Sequence, residues 1–202
     1  MPHKGEPMRR TTRLATFALT LMLASPLPLT LASPLAAAQA PTREGLMGDL
    51  LKDINDVQTK VVGLAKAMPA ASYDWRPGKT VRSTGETLMH IAADNYLLPA
   101  MMGIAPPAET GIDGKEYKTA VAFEKKTMTR DQIIAEVEKS FAFLKTSMTS
   151  FPDAKLDGPL EVFGQKSTAR GMWITTATHL HEHLGQLIAY ARSNNVTPPW
   201  SK

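Results

Sequence analysis

Residues 168–194 read TARGMWITTATHLHEHLGQLIAYARSN, and three of the five histidines of the chain fall within them. Trp173, Leu180, Leu184, Leu187 and Ala191 recur at spacings of three, four and seven, the period of one helix face. The helix therefore runs from about Thr168 to Asn194, where Asn194-Asn195 and then Pro198-Pro199 stop it. Successive residues advance by about 100°, so His179 and His183 stand about 40° apart, one turn from each other on the same side. Met172, Thr176, Gln186 and Tyr190 share that side. His181 lies about 200° from His179 and is expected in solvent or in a boundary hydrogen bond. Glu182 is likewise turned away from the pair.

Outward from this segment the same period recurs three times. Leu46, Leu50, Ile54, Val57, Val61, Leu64 and Ala65 define a first helix over Thr42–Met68, ended by Pro69. Ser83-Thr84-Gly85-Glu86 is a capping box, in which a serine oxygen and a glutamate three residues on satisfy each other's backbone NH groups. A second helix thus starts near Thr84 and extends to about Met102. Thr129-Arg130-Asp131-Gln132 repeats the capping pattern ahead of Ile133, Ile134, Val137, Phe141, Leu144 and Met148, a third helix that ends at Phe151-Pro152. Between the second and third helices Pro106, Pro107, Gly111 and Gly114 mark a long loop, with a short helical turn over Lys115–Lys126. Residues Leu156–Ser167 read as a loop or one small hairpin. Four long amphipathic helices without strand alternation predict an all-α fold, an antiparallel four-helix bundle with long inter-helix loops.

Residues 1–38 read as an export signal. Arg9, Arg10 and Arg13 precede the apolar run Leu14–Ala24, and small residues follow at Ala36, Ala37, Ala38 and Ala40. Cleavage falls between 38 and 40, with a mature start at Gln39 preferred because Pro41 would directly follow the later cut. Pro26, Pro28 and Pro34 break the run well short of the roughly 20 apolar residues of a spanning helix, so no stable membrane insertion is expected after cleavage. Arg9-Arg10 departs from a twin-arginine signal in the residues that follow it, Thr11, Thr12 and Arg13. The expected location is the periplasm or the extracellular medium, and the bundle occupies 39–202.

The sequence pI is about 9.3. Much of that charge is leader: Lys4, Arg9, Arg10 and Arg13 face Glu6 alone. Removing them takes the 23 basic and 19 acidic residues to 19 and 18. No nucleic-acid partner is expected at that balance. The chain has no cysteine. Any metal must then be held by nitrogen and oxygen, and the methionines, 11 in the whole chain, fall at core spacing and read as packing.

Two imidazoles one turn apart can bind a divalent ion, but a closed set needs more. The remaining histidine of the bundle is His90, on a stripe of the second helix with Ile91, Leu97, Leu98 and Met101, where a buried polar ring needs a partner. Ordinary hydrogen bonds would also satisfy each of these rings. Their joint placement on core-facing stripes favours a three-histidine site of His90, His179 and His183. Asp94, one turn after His90, is a supporting acceptor or a fourth ligand. Gln186 and Tyr190 are pocket or supporting residues. The histidines do not have the spacing of the His-Glu-x-x-His metalloprotease motif, since its second histidine would fall on Gly185. A P-loop, a dinucleotide-binding glycine turn and a Gly-x-Ser-x-Gly elbow are all absent from the sequence. Trp75 and Trp173 are expected as core or pocket walls, and Trp200 near the C-terminal end.

These segments together resemble the DinB-like metal-binding four-helix bundles over essentially the whole mature chain. The resemblance is carried by Trp75-Arg76-Pro77, by Ser83, Glu86, Leu88 and His90-Ile91-Ala92, and by His179, Glu182-His183, Gly185-Gln186-Leu187, Tyr190, Arg192 and Pro198-Pro199. It implies a site for a divalent ion, zinc or nickel foremost and manganese or iron as alternatives, on His90, His179 and His183 with water at the open positions. It also implies, for some members, transfer or isomerisation reactions that use a low-molecular-weight thiol. The leader departs from those cytoplasmic members. Two functional expectations follow: a metal-dependent transferase or hydrolase acting on an unknown small-molecule substrate, or a non-catalytic exported binding module with a structural metal or none. A homodimer is compatible with either.

Overall fold

The computed structural model describes residues 43–201, and the expected signal segment lies outside them. The bundle consists of α1 (Gly45–Ala67), α2 (Thr84–Met101), α4 (Arg130–Ser150) and α5 (Ala169–Ser193). A shorter helix, α3 (Tyr117–Glu124), interrupts the long α2–α4 connection, and β1 (Pro159–Val162) pairs antiparallel with β2 (Gln165–Thr168) just ahead of α5. Among the described residues no helix is long and apolar enough to cross a membrane.

The capping residues act where the sequence places them. Ser83 Oγ accepts from the Glu86 NH at 3.2 Å while Glu86 Oε2 accepts from the Ser83 NH at 2.8 Å, fixing the start of α2. Thr129 and Gln132 do the same for α4, and Thr168 Oγ1 accepts from the Gly171 NH at the start of α5. In α1 the period holds with one shift: Met47, rather than Leu46, is the fully buried residue of the first turn.

Packing explains the long connections. α2 lies against α4 and α5, and α1 lies against the same two, so the consecutive pairs α1/α2 and α4/α5 sit across the diagonal of the bundle. Segments 68–83 and 151–168 carry the chain across. The core between the helices is filled by Trp173, Phe141, Ile54, Leu64, Leu88 and Leu144, all fully buried. The Trp173 indole meets Phe151 edge-on at 5.5 Å.

α2 is the exception to amphipathicity. From Thr84 to Pro99 every residue except Glu86 is buried, so this helix is enclosed on all sides. α4 and α5 cover two of those sides and α3 covers another. Ala120 and Phe123 of α3 are buried there, with the Phe123 ring edge-on to Tyr96 of α2 at 5.7 Å. The short helix read from the sequence as a turn in a loop is therefore a cover for α2.

Candidate metal centre

α2 contributes His90 and Asp94 one turn apart, α5 contributes His179 and His183, and α3 contributes Glu124 at its last residue. The three histidines each offer a ring nitrogen, and these atoms lie within 4.8 Å of one another. Ring centroids are 5.3 Å apart for His90 and His179, 4.7 Å for His90 and His183, and 4.4 Å for His179 and His183. The rings stand nearly perpendicular to one another. His90, His183 and Asp94 are buried, whereas the His179 side chain keeps 26% of its surface exposed. The centre is closed on the core side and open on the side of His179.

Hydrogen bonds behind two of the rings decide which nitrogen carries the proton. Glu124 Oε1 lies 2.6 Å from His90 Nδ1, and a carboxylate accepts, so Nδ1–H donates. Glu124 is itself held by the Arg82 guanidinium, at 3.1 Å from Nη2 and 3.3 Å from Nε.

The His183 side reads as a directional chain from the backbone. The Arg82 carbonyl only accepts, so the Tyr190 hydroxyl 3.0 Å away donates to it. That hydroxyl oxygen accepts from Gln186 Nε2 at 2.7 Å, which turns Gln186 Oε1 toward His183 Nδ1 at 2.9 Å. Nδ1–H donates, and Nε2 bears the lone pair. This Nε2 is buried and has no hydrogen-bond partner. Burial lowers the His183 pKa below its ordinary value, the Gln186 bond opposes that shift, and the neighbouring His179 and His90 add to it. His183 thus presents a neutral, unpartnered nitrogen, the form a divalent ion requires.

The third ring differs. His179 Nε2 lies 2.7 Å from Asp94 Oδ2, and the same oxygen stands 3.3 Å from His90 Nε2. Asp94 therefore bridges His179 and His90, and the acceptors at the Nδ1 side of the other rings are Glu124 for His90 and Gln186 for His183. His90, Asp94 and Glu124 also form a second set able to hold an ion, sharing His90 with the first.

The residues singled out in the sequence sit together, with Gln186 and Tyr190 in the support of His183. His181 is apart from the centre, bonded to Asp53 of α1 at 2.9 Å, and Glu182 is exposed. Trp75 is half-buried and meets the Tyr190 ring edge-on at 5.3 Å, a wall of the supporting chain. Glu124 and Arg82 are the two site residues that periodicity does not reveal. Glu124 ends a short helix, and Arg82 is marked only by standing before the cap Ser83.

Known proteins place this arrangement. A DinB-like protein from Bacillus cereus shares the fold with a TM-score of 0.62 at 14% identity, over 76% of this chain and 95% of that one. A conserved protein from Enterococcus faecalis gives 0.61 at 12% identity, over 74% and 97%. A DinB-like protein from Bacillus subtilis gives 0.57 at 18% identity, over 74% and 93%. The curated proteins give no significant match. The sequence profile of the DinB superfamily matches residues 54–187, which span α2, α3, α4 and most of α1 and α5 with all three histidines. The chain belongs to the DinB superfamily.

Proposed function

We propose that this protein is an exported divalent-metal protein whose centre, built on His90, His179 and His183, acts on a small-molecule substrate. The observation that carries the proposal is His183 Nε2. A buried nitrogen without a partner costs free energy on the order of 1–3 kcal/mol unless a ligand satisfies it, and here it belongs to one of three rings that each bring a nitrogen within 4.8 Å of the others. Export rests on the leader, with its basic start, apolar run and alanine-rich end.

Zinc or nickel suits the nitrogen-rich donor set best, and such an ion would act as a Lewis acid that lowers the pKa of a bound water or substrate group. The protein's own residues prepare it. Glu124 and Gln186 hold His90 and His183 at Nδ1 and so leave each Nε2 as the nitrogen turned from its support. Ligation through His179 Nε2 would send its proton to solvent and release Asp94 Oδ2, still ionised, from its hydrogen bond. Asp94 is then the carboxylate at hand as fourth ligand or general base. The partly exposed His179 side is the route by which a substrate would arrive.

One observation favours the non-catalytic module: the Asp94–His179 bond is complete without an ion. Metal content by mass spectrometry on tagless mature protein separates the readings. We expect about one ion per chain, lost in the His90/His179/His183 triple alanine variant, and a mature N-terminus at or within two residues of Gln39. An ion-free protein after incubation with zinc, nickel, manganese and iron would overturn the metal reading. A collapse of thermal stability on chelation would assign the ion a structural role.

A further inference from the structure

Beyond Asp94 the same face of α2 continues through Leu97 and Met101, about 4.5 and 10.5 Å further along the axis. These residues belong to a cleft of about 360 Å³ that Tyr117, Phe163, Lys115 and Glu161 also line. Tyr117 is the first residue of α3, and Phe163 stands at the tip of the β1–β2 hairpin. Their rings meet edge-on at 5.8 Å, joining two excursions of the chain that are otherwise far apart in sequence. Both rings are nonetheless largely in solvent, at 48% and 64% exposure, so core burial does not account for them. The Tyr117 phenol lies close enough to the centre that Asp94 and Glu124 add to the rise in its pKa, which partial burial begins.

The hairpin backbone points the same way. Val162 pairs with Gln165, leaving a two-residue turn of Phe163 and Gly164 with φ of +49° and +76°. Both turn positions are left-handed, which suits Asn-Gly and strains a bulky aromatic residue. A strained, exposed phenylalanine stands at the tip of a turn where asparagine would be relaxed, and such strain collects at ligand sites.

We propose that this cleft is the substrate subsite of the metal centre and takes the aromatic end of a small molecule whose polar head lies at the histidines. The inference rests on the function proposed above. In it the apolar end lies along Leu97 and Met101, with the Tyr117 and Phe163 rings as its outer wall. Lys115 and Glu161 form the polar rim. The distance along α2 sets the length of the linker, a few methylene groups between head and ring.

The test uses two zinc-chelating probes, acetohydroxamate and 4-phenylbutyrohydroxamate, titrated calorimetrically into the zinc-loaded full mature chain. The phenyl probe should bind about tenfold or more tightly than the acetyl one, as burying one ring's apolar area predicts. Phe163→Asn should remove most of that excess, leave acetohydroxamate affinity and zinc content unchanged, and hold or raise the Tm by relieving the turn. Equal binding of the two probes, or an excess that survives in the Tyr117→Ala/Phe163→Asn double variant, would overturn the subsite. A fall in Tm with unchanged discrimination would make Phe163 merely structural. If zinc does not load, the metal reading fails on its own, and the cleft is then read in metal-free protein with 4-phenylbutanol. Shifts of the Tyr117 and Phe163 ring resonances would keep the subsite, and their absence would overturn it.

Discussion

His183 and His90 are each held by a hydrogen bond at Nδ1, yet they are braced by opposite means. The brace of His183 starts within its own helix, in Gln186 one turn on and Tyr190 two turns on, and all of its side chains are neutral. The brace of His90 comes from another helix, through Glu124, 34 residues away, and the charged Arg82 behind it. Forming α5 places the side chains of the first, and only its far end at the Arg82 carbonyl waits on tertiary packing, whereas the second exists only once α3 has docked on α2. A local brace sets orientation early and weakly. A remote, charge-assisted one sets it late and more strongly, since hydrogen bonds with an ionised partner are roughly twice as strong.

The sharpest way to break this contrast is Glu124→Ala. Removing the acceptor frees the His90 ring to turn and leaves the Arg82 guanidinium without its carboxylate, so zinc affinity should fall by about a hundredfold, the upper end for supporting acceptors. Competition with a chromophoric chelator measures it, and an unchanged affinity would mean that α3 covers the site without tuning it. Gln186→Ala should cost about tenfold in the same assay, because a neutral bond is lost and the ring keeps its place in the helix. A larger loss than that of Glu124→Ala would reverse the ranking of the two braces. Tyr190→Phe should be the mildest, about threefold, since it removes only the far end of the chain to the Arg82 carbonyl.

The same contrast explains what could be read from the sequence. Helical period and capping boxes locate α1, α2, α4 and α5 to within about three residues, because each helix must bury one stripe and start on one cap. The histidine pair, Gln186 and Tyr190 share one face of α5, and His90 and Asp94 share one face of α2, at spacings of three, four and seven, so rotation about each helix axis suffices to form the two groups. Glu124 obeys no such rule. Its position depends on how an eight-residue helix packs, and the apolar residues that drive that packing, Ala120 and Phe123, point to α2 without pointing to His90. Asp94 was legible as a neighbour of His90, but its bond to His179 follows from how α2 packs on α5, a tertiary quantity.

Arg82 gives its carbonyl to one brace and its guanidinium to the other, and it directly precedes the residue that caps α2. Both supports therefore converge on a single helix end, and that end is locked: Ser83 and Glu86 complete its capping box, and Ser83, Thr84 and Thr87 are buried. Ion release then becomes a matter of kinetics, because slackening His90 and His183 together would require opening this buried turn rather than fraying an exposed one. The dissociation rate of a bound ion would follow the exchange rate of the Thr87 amide, which donates to the Ser83 carbonyl at 2.8 Å.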